Sequence, residues 1–176
     1  MAEEKKESWI NQMALVTVIL AVCATLSTFK GGSYSTQSVI NQTLASDQWA
    51  FYQANSTKQH LHELQVEQLR LQAMALAPAS PIAAAYAAGI VDNQRKTELY
   101  EGKKHQIDEK ARDFEQQRDD ARKHGKPFGM AVIFLQVAIL LNSIAGLLKL
   151  RRIFWLALPI GMVGVGFFVD GFVLFI

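Results

Sequence analysis

Three apolar runs, 9–29, 128–148 and 153–176, are each about the 20 residues that an α-helix needs to cross the hydrocarbon core of a bilayer. In lipid every backbone polar group must be satisfied within its own segment, so such runs are expected to be transmembrane helices. The polar stretch between the first two, 30–127, is interrupted near its midpoint by Pro78-Ala79-Ser80-Pro81. There are 48 residues from 30 to 77 and 45 from 82 to 126, enough for two helices of nearly equal length. One leaves the bilayer, the chain turns at the prolines, which cannot continue a helix interior, and the other returns. The expected fold is an all-α membrane protein with three transmembrane helices and a long antiparallel, coiled-coil-like helical hairpin between the first and second. Its parts are a tail at 1–8, a span at 9–29, the hairpin at 30–127 with its tip at 78–81, a span at 128–148, a short basic loop at 149–152 and a span at 153–176.

Composition narrows the function classes. The three runs take up more than a third of the 176 residues, which leaves little for an enzyme core. Between 30 and 126 there are 13 Lys/Arg against 12 Asp/Glu with the signs interspersed, a solvated surface without the sustained basic field that nucleic acid requires. The single cysteine, Cys23, lies inside the first apolar run and cannot form a disulfide within the chain. That run lacks an A-x-A-like cleavage site before Lys30 and follows the mixed segment Glu3-Glu4-Lys5-Lys6-Glu7, so an uncleaved anchor is expected. Leu20-Ala21-Val22-Cys23 approaches a lipoprotein box, but Val22 stands where a small residue is needed.

Within the first arm, Ile40, Leu44, Phe51, Ala54, Leu61, Leu64, Leu71 and Ala75 form a helical stripe close to a heptad pattern. The second arm continues it through Tyr86, Ile90, Asn93, Thr97, Tyr100, Lys104, Ile107, Ala111, Phe114, Arg118 and Ala121, a notably polar seam. Folding the hairpin about its prolines sets His62 beside Thr97 and His105 beside Ala54. Each arm would reach about 65 Å from the bilayer. Gly31-Gly32 and His124-Gly125-Lys126-Pro127 read as the ends of the hairpin next to the spans. Trp49, Phe51 and Tyr52 point in about three different directions around a 3.6-residue helix, so no single partner helix can cover all of them. A second copy of the chain is expected to cover the remainder, making a homo-oligomer.

The segment Ser46-Asp47-Gln48-Trp49-Ala50-Phe51-Tyr52-Gln53-Ala54-Asn55-Ser56-Thr57-Lys58 resembles the signature of an uncharacterised bacterial membrane family, domain of unknown function 4337. The resemblance extends over most of the chain: an N-terminal span, this motif, a charged helical region and two C-terminal spans. It implies the topology and adds no catalytic residue, cofactor or substrate.

Residues able to do chemistry are sparse. His60 and His62 sit on different faces of a helix, because only i,i+3 and i,i+4 neighbours meet. No metal site, no cofactor site, no G-x-S-x-G and no phosphate-binding glycine loop is expected, and the reading is not an enzyme. Inside the apolar runs, Gln136 and Asn142 lie in the second, Thr17, Ala21 and Thr25 make a small-residue stripe on the first, and Gly161, Gly164 and Gly166 line the third. Such faces let helices approach closely. Asp170 differs from these, since an acidic group in an apolar span is costly unless paired. Lys30 and Lys126 can snorkel to its depth and are its candidate ion-pair partners.

Lys149, Arg151 and Arg152 crowd the short loop, and Lys5 and Lys6 precede the first span, which places both on the cytoplasmic side of a bacterial inner membrane and the hairpin on the periplasmic or extracellular side. The leading expectation is a non-enzymatic membrane scaffold or accessory subunit, surrounded by lipid, that self-associates through the hairpin. It would bind a partner, such as a larger membrane protein complex, near the tip through Met74, Leu76, Ile82 and Tyr86. The alternative is a small channel or proton-coupled transport component using Asp170 with Gln136 and Asn142.

Overall fold

The structure is a computed structural model that describes residues 2–76 and 80–174, with side chains from residue 9 onward. Pro78 and Ala79 of the expected tip, the side chains of Lys5 and Lys6, and Phe175-Ile176 lie outside the described residues. Three helices account for nearly all of the described chain: α1, Ala2–Met74, of 73 residues; α2, Pro81–Leu148, of 68; and α3, Arg151–Val173, of 23. No strand occurs among the described residues. All three helices are long and apolar enough to cross a membrane.

The helices run further than the sequence suggested. α1 is unbroken through Gly31-Gly32, and α2 passes through His124-Gly125-Lys126-Pro127. Packing supplies the reason. A Cβ on Gly31 would meet the Cβ of Phe128 at 3.2 Å, so glycine serves there as a point of close approach. Pro127 is buried within the helix, where its missing N–H gives up one backbone bond. Tertiary contact overrides local propensity at both places.

The ends of the helices follow local chemistry. Ser80 caps α2, its Oγ accepting from the Ile82 N–H at 3.2 Å, and Pro81 takes the first helical position, where a missing N–H costs nothing. At the other end Lys149 adopts φ 53. Leu150 N–H donates to Ala145 O at 3.1 Å and Lys149 N–H to Gly146 O at 3.3 Å, the left-handed cap that glycine usually provides. α3 then starts at Arg151, so only Lys149 and Leu150 separate the two helices.

The chain divides into two units. One comprises Met1–Ile40 with Gln117–Ile176, the other Asn41–Gln116. In the first unit, Leu20 and Ala24 of α1 pack with Ala131, Leu135 and Ala138 of α2 into one core cluster, and Trp9, Met13, Ala145 and Phe154 form another. Small residues of α3 allow this. A Cβ on Gly161 would come 3.2 Å from Leu20, one on Gly164 2.8 Å from Leu135, and one on Gly171 2.7 Å from the Phe128 ring. Gly161 and Gly164 therefore do what the sequence assigned them, whereas Gly166 has open space around it and Ala21 and Thr25 are exposed. The buried small face of α1 is instead Ala24 and Ser27.

In the second unit, residues of α1 up to Met74 run against those of α2 from Pro81 onward. A Cβ on Gly89 would stand 3.2 Å from Leu69, and Trp49 Nε1–H donates to Glu115 Oε1 at 3.0 Å. His62 bonds Asn93 and stacks on Tyr100, the residues one turn to either side of Thr97, so the register agrees with folding about the prolines.

Candidate functional site

The second unit carries an unusual division of polarity. On α2 the half-buried and buried positions, from Tyr86 through Asn93, Thr97, Tyr100 and Lys104 to Ala111 and Phe114, are those of the predicted seam. On α1 the seam falls one residue further along the chain than the sequence suggested from Ile40 to Leu61, and two residues further at Leu64 and Leu71. Asn41, Ala45, Gln59 and Val66 are buried, with Tyr52 and His62 half-buried beside them. The apolar stripe assigned to the seam faces outward: Phe51 is 59% exposed and Leu64 63%, with Ile40, Leu44, Leu61 and Leu71 exposed as well.

The physical reason lies in the partner stripe. α2 presents Asn93 and Lys104, and an aliphatic face laid over them would strand buried donors and acceptors. Rotating α1 by one residue matches polar layers instead. His62 Nδ1–H donates to Asn93 Oδ1 at 2.7 Å, while Asn93 Nδ2 donates to Gly89 O at 2.8 Å. Lys104 Nζ donates to Gln59 Oε1 at 3.0 Å, and Gln59 Nε2 donates to Glu63 Oε1 at 2.9 Å. Lys104 also lies 5.1 Å from the Tyr52 ring centroid, a cation–π approach. His60 donates to Glu63 Oε2 at 2.9 Å, and this contact, with that of Gln59, holds the Glu63 carboxyl below its ordinary range.

The aromatic triplet is divided accordingly. Trp49 and Tyr52 are half-buried and meet edge to face at 5.6 Å, with Trp49 anchored on Glu115, while Phe51 points away from α2. Near the tip, Met74 is 83% exposed and Ile82 exposed, whereas Leu76 and Tyr86 are half-buried.

In the first unit the three intramembrane polar candidates are kept apart. Gln136 is exposed. Asn142 is buried and donates from Nδ2 to Thr17 Oγ1 at 3.1 Å; its Oδ1, like Ser27 Oγ, is buried without a hydrogen-bond partner among the described residues. Asp170 is 2% exposed. The pairing of Gly171 with Phe128 and of Gly161 with Ala138 sets Asp170 level with the start of the apolar part of α2, about 20 Å along the helix from Asn142. Lys30 and Lys126 are exposed. Beside Asp170 lies an aromatic nest that sequence reasoning missed: Phe128, fully buried, meets Phe168, Phe172 and Tyr34, and His124, stacked on Tyr34 at 5.1 Å, donates from Nδ1 to Gly171 O at 3.1 Å. No group of three His, Cys, Asp or Glu side chains able to hold a metal occurs among the described residues.

These features define a class: an all-helical protein whose three helices can each cross a membrane, with a polar-seamed helical pair between the first two apolar segments. Over residues 9–174 it matches the family model described as Domain of unknown function (DUF4337), and the chain belongs to that family. No curated protein and no solved structure matches it.

Proposed function

We propose that the protein is a non-enzymatic integral membrane scaffold or accessory subunit, resident in a bacterial cytoplasmic membrane, that self-associates through its extramembrane helical pair and engages a partner near the tip. The observation that carries this reading is the inverted polarity of the second unit, which buries polar side chains and leaves Phe51, Leu61, Leu64 and Leu71 of α1 exposed. A helix surface of this kind in water marks a contact site. Membrane residence is supported by the outward aliphatic side chains of the first unit, among them Leu15, Val18, Val22, Ile133 and Leu140, which suit lipid. The basic turn at Lys149, Arg151 and Arg152 favours a cytoplasmic position for that turn and the outer side for the helical pair.

The test is the protein in mild detergent. Light scattering is expected to give a mass above that of one chain plus its micelle, and Met74→Glu with Ile82→Glu is expected to insert normally while losing a co-purifying protein. A monomer would remove the self-association half of the reading, and retention of every partner by the double variant would remove the tip half. Cysteines at Ser80 and Leu150 in a Cys23→Ala background report orientation, with Ser80→Cys expected to label from outside. The second reading, a conduction component, is favoured only by the burial of Asp170. Proton flux in liposomes that Asp170→Asn abolishes without disturbing assembly would make it the better one.

A further inference from the structure

The charge balance of the polar stretch conceals a concentration at the end next to the apolar segments. Residues 30–40 and 117–127 carry five Lys/Arg against two Asp, whereas 41–116 carries eight against ten Asp/Glu. The two acids are matched on their own helix, Asp119 by Arg118 at 2.8 Å and Asp120 by Lys123 at 3.2 Å. Lys30, Arg122 and Lys126 remain, exposed and with no carboxylate in ion-pair range among the described residues. Arg122 and Lys126, one turn apart on α2, line a groove of about 460 Å³ whose α1 side includes Tyr34, Ser35 and Ser38. No acidic side chain lines it, and its other polar side chains are hydroxyls.

Depth says what fills the groove. A Cβ on Gly31 would meet the Cβ of Phe128 at 3.2 Å, which sets these two residues level where the apolar segments begin. From there Ser38 and Arg122 lie about 10 Å further out along their helices. The polar layer of a bilayer is about 5–8 Å deep on each side, so the groove opens among headgroups. Below Lys126 the same face of α2 continues as Met130, Ile133, Val137 and Leu140, all exposed. That stripe descends about 16 Å from Lys126 to Val137, half the hydrocarbon core of about 30 Å. We propose that the groove is a binding site for an anionic phospholipid, its phosphate held by the Arg122 guanidinium and the Lys126 ammonium and an acyl chain laid along the stripe. Arginine supplies a fork of donors for phosphate and lysine a point charge, and Ser35 and Ser38 add O–H donors. The stripe selects a lipid over free phosphate, which has no use for an apolar track. The assignment rests on the membrane residence proposed above and adds a ligand to it.

Native mass spectrometry of the protein in a neutral detergent, with dioleoylphosphatidylglycerol and dioleoylphosphatidylcholine added in equal amounts, tests the site. The two lipids share their acyl chains and a phosphate and differ in net charge. The wild type is expected to retain phosphatidylglycerol in preference. Arg122→Gln with Lys126→Gln, both at exposed positions, is expected to lose about fivefold of that preference per cation, about 25-fold for the two, with the helical circular dichroism unchanged. Arg122→Lys with Lys126→Arg, which keeps the charge, is expected to keep the preference, and so is Lys149→Gln with Arg152→Gln at the turn between α2 and α3. Preference that survives Arg122→Gln with Lys126→Gln, or that is removed at the turn instead, would overturn the site, as would equal retention of both lipids by the wild type. Displacement of the lipid by excess inorganic phosphate at matched ionic strength would make free phosphate the ligand and overturn the lipid. Recovery of the wild type from cells in the soluble fraction, without detergent, would be a different failure, that of the membrane residence on which the site depends.

Discussion

At Gly171 a single missing methyl group decides the packing of α3. A Cβ there would stand 2.7 Å from the rigid Phe128 ring, a distance that the neighbours cannot relieve by rotating a flexible end. Gly171→Ala is therefore expected to lower the melting midpoint in detergent, at a cost of about 1–3 kcal/mol for overpacking. Gly129→Ala, with nothing within 4 Å of its new Cβ, is expected to leave the midpoint unchanged or raise it, because alanine is favoured over glycine in a helix by about 1 kcal/mol. Equal loss in both variants would show that the Phe128 contact does not govern the site. Gly161 and Gly164 were legible in the sequence as a small face, but Gly171 was not. Its signal was its place seven residues after Gly164, the helical repeat that Gly166 breaks.

At the level of elements, the ends and faces of the helices show what pattern can and cannot reveal. The second arm's stripe was readable residue for residue, because α2 offers only one face with apolar groups at regular spacing. The first arm was misread by one to two residues, since α1 has two adjacent stripes and the more apolar of them is not the one that α2 covers. Side-chain polarity predicts what should leave water; it does not say which molecule covers it. Two predictions belong here. Lys149 holds φ 53 at the end of α2, strained for any residue but glycine, so Lys149→Gly should stabilise the turn by about 1 kcal/mol in thermal melts. It should also weaken the orientation signal read by labelling Ser80→Cys. The second concerns acid. Glu63 is held low by His60, Asp92 by Lys96, Asp108 by Arg112 and Asp119 by Arg118. Each carboxyl has a folded-state value below its unfolded one, so the stabilisation is present above the usual carboxylate range and lost as pH falls through the lowered values. The melting midpoint should hold from neutrality to about pH 5 and fall below about pH 4, by less in high salt because the pairs are exposed. A decline that begins near neutrality would count against these four carboxyls as its cause.

For the whole molecule, the three apolar runs and the proline break were enough to read three long helices and their order. The α1 side of the seam, the aromatic nest around Phe128 and the position of Asp170 level with it were not, because each depends on which helix faces which. The offset of one to two residues between the two stripes of α1 has a consequence for inheritance. A single codon gained or lost within α1 turns the downstream helix by about 100°. A gain upstream of Leu44 would turn Leu44, Phe51 and Leu61 towards α2 and Gln59 and His62 to the solvent. A length change that a surface loop would absorb silently would here strand Asn93 and Lys104 of α2 without the side chains that now bond them.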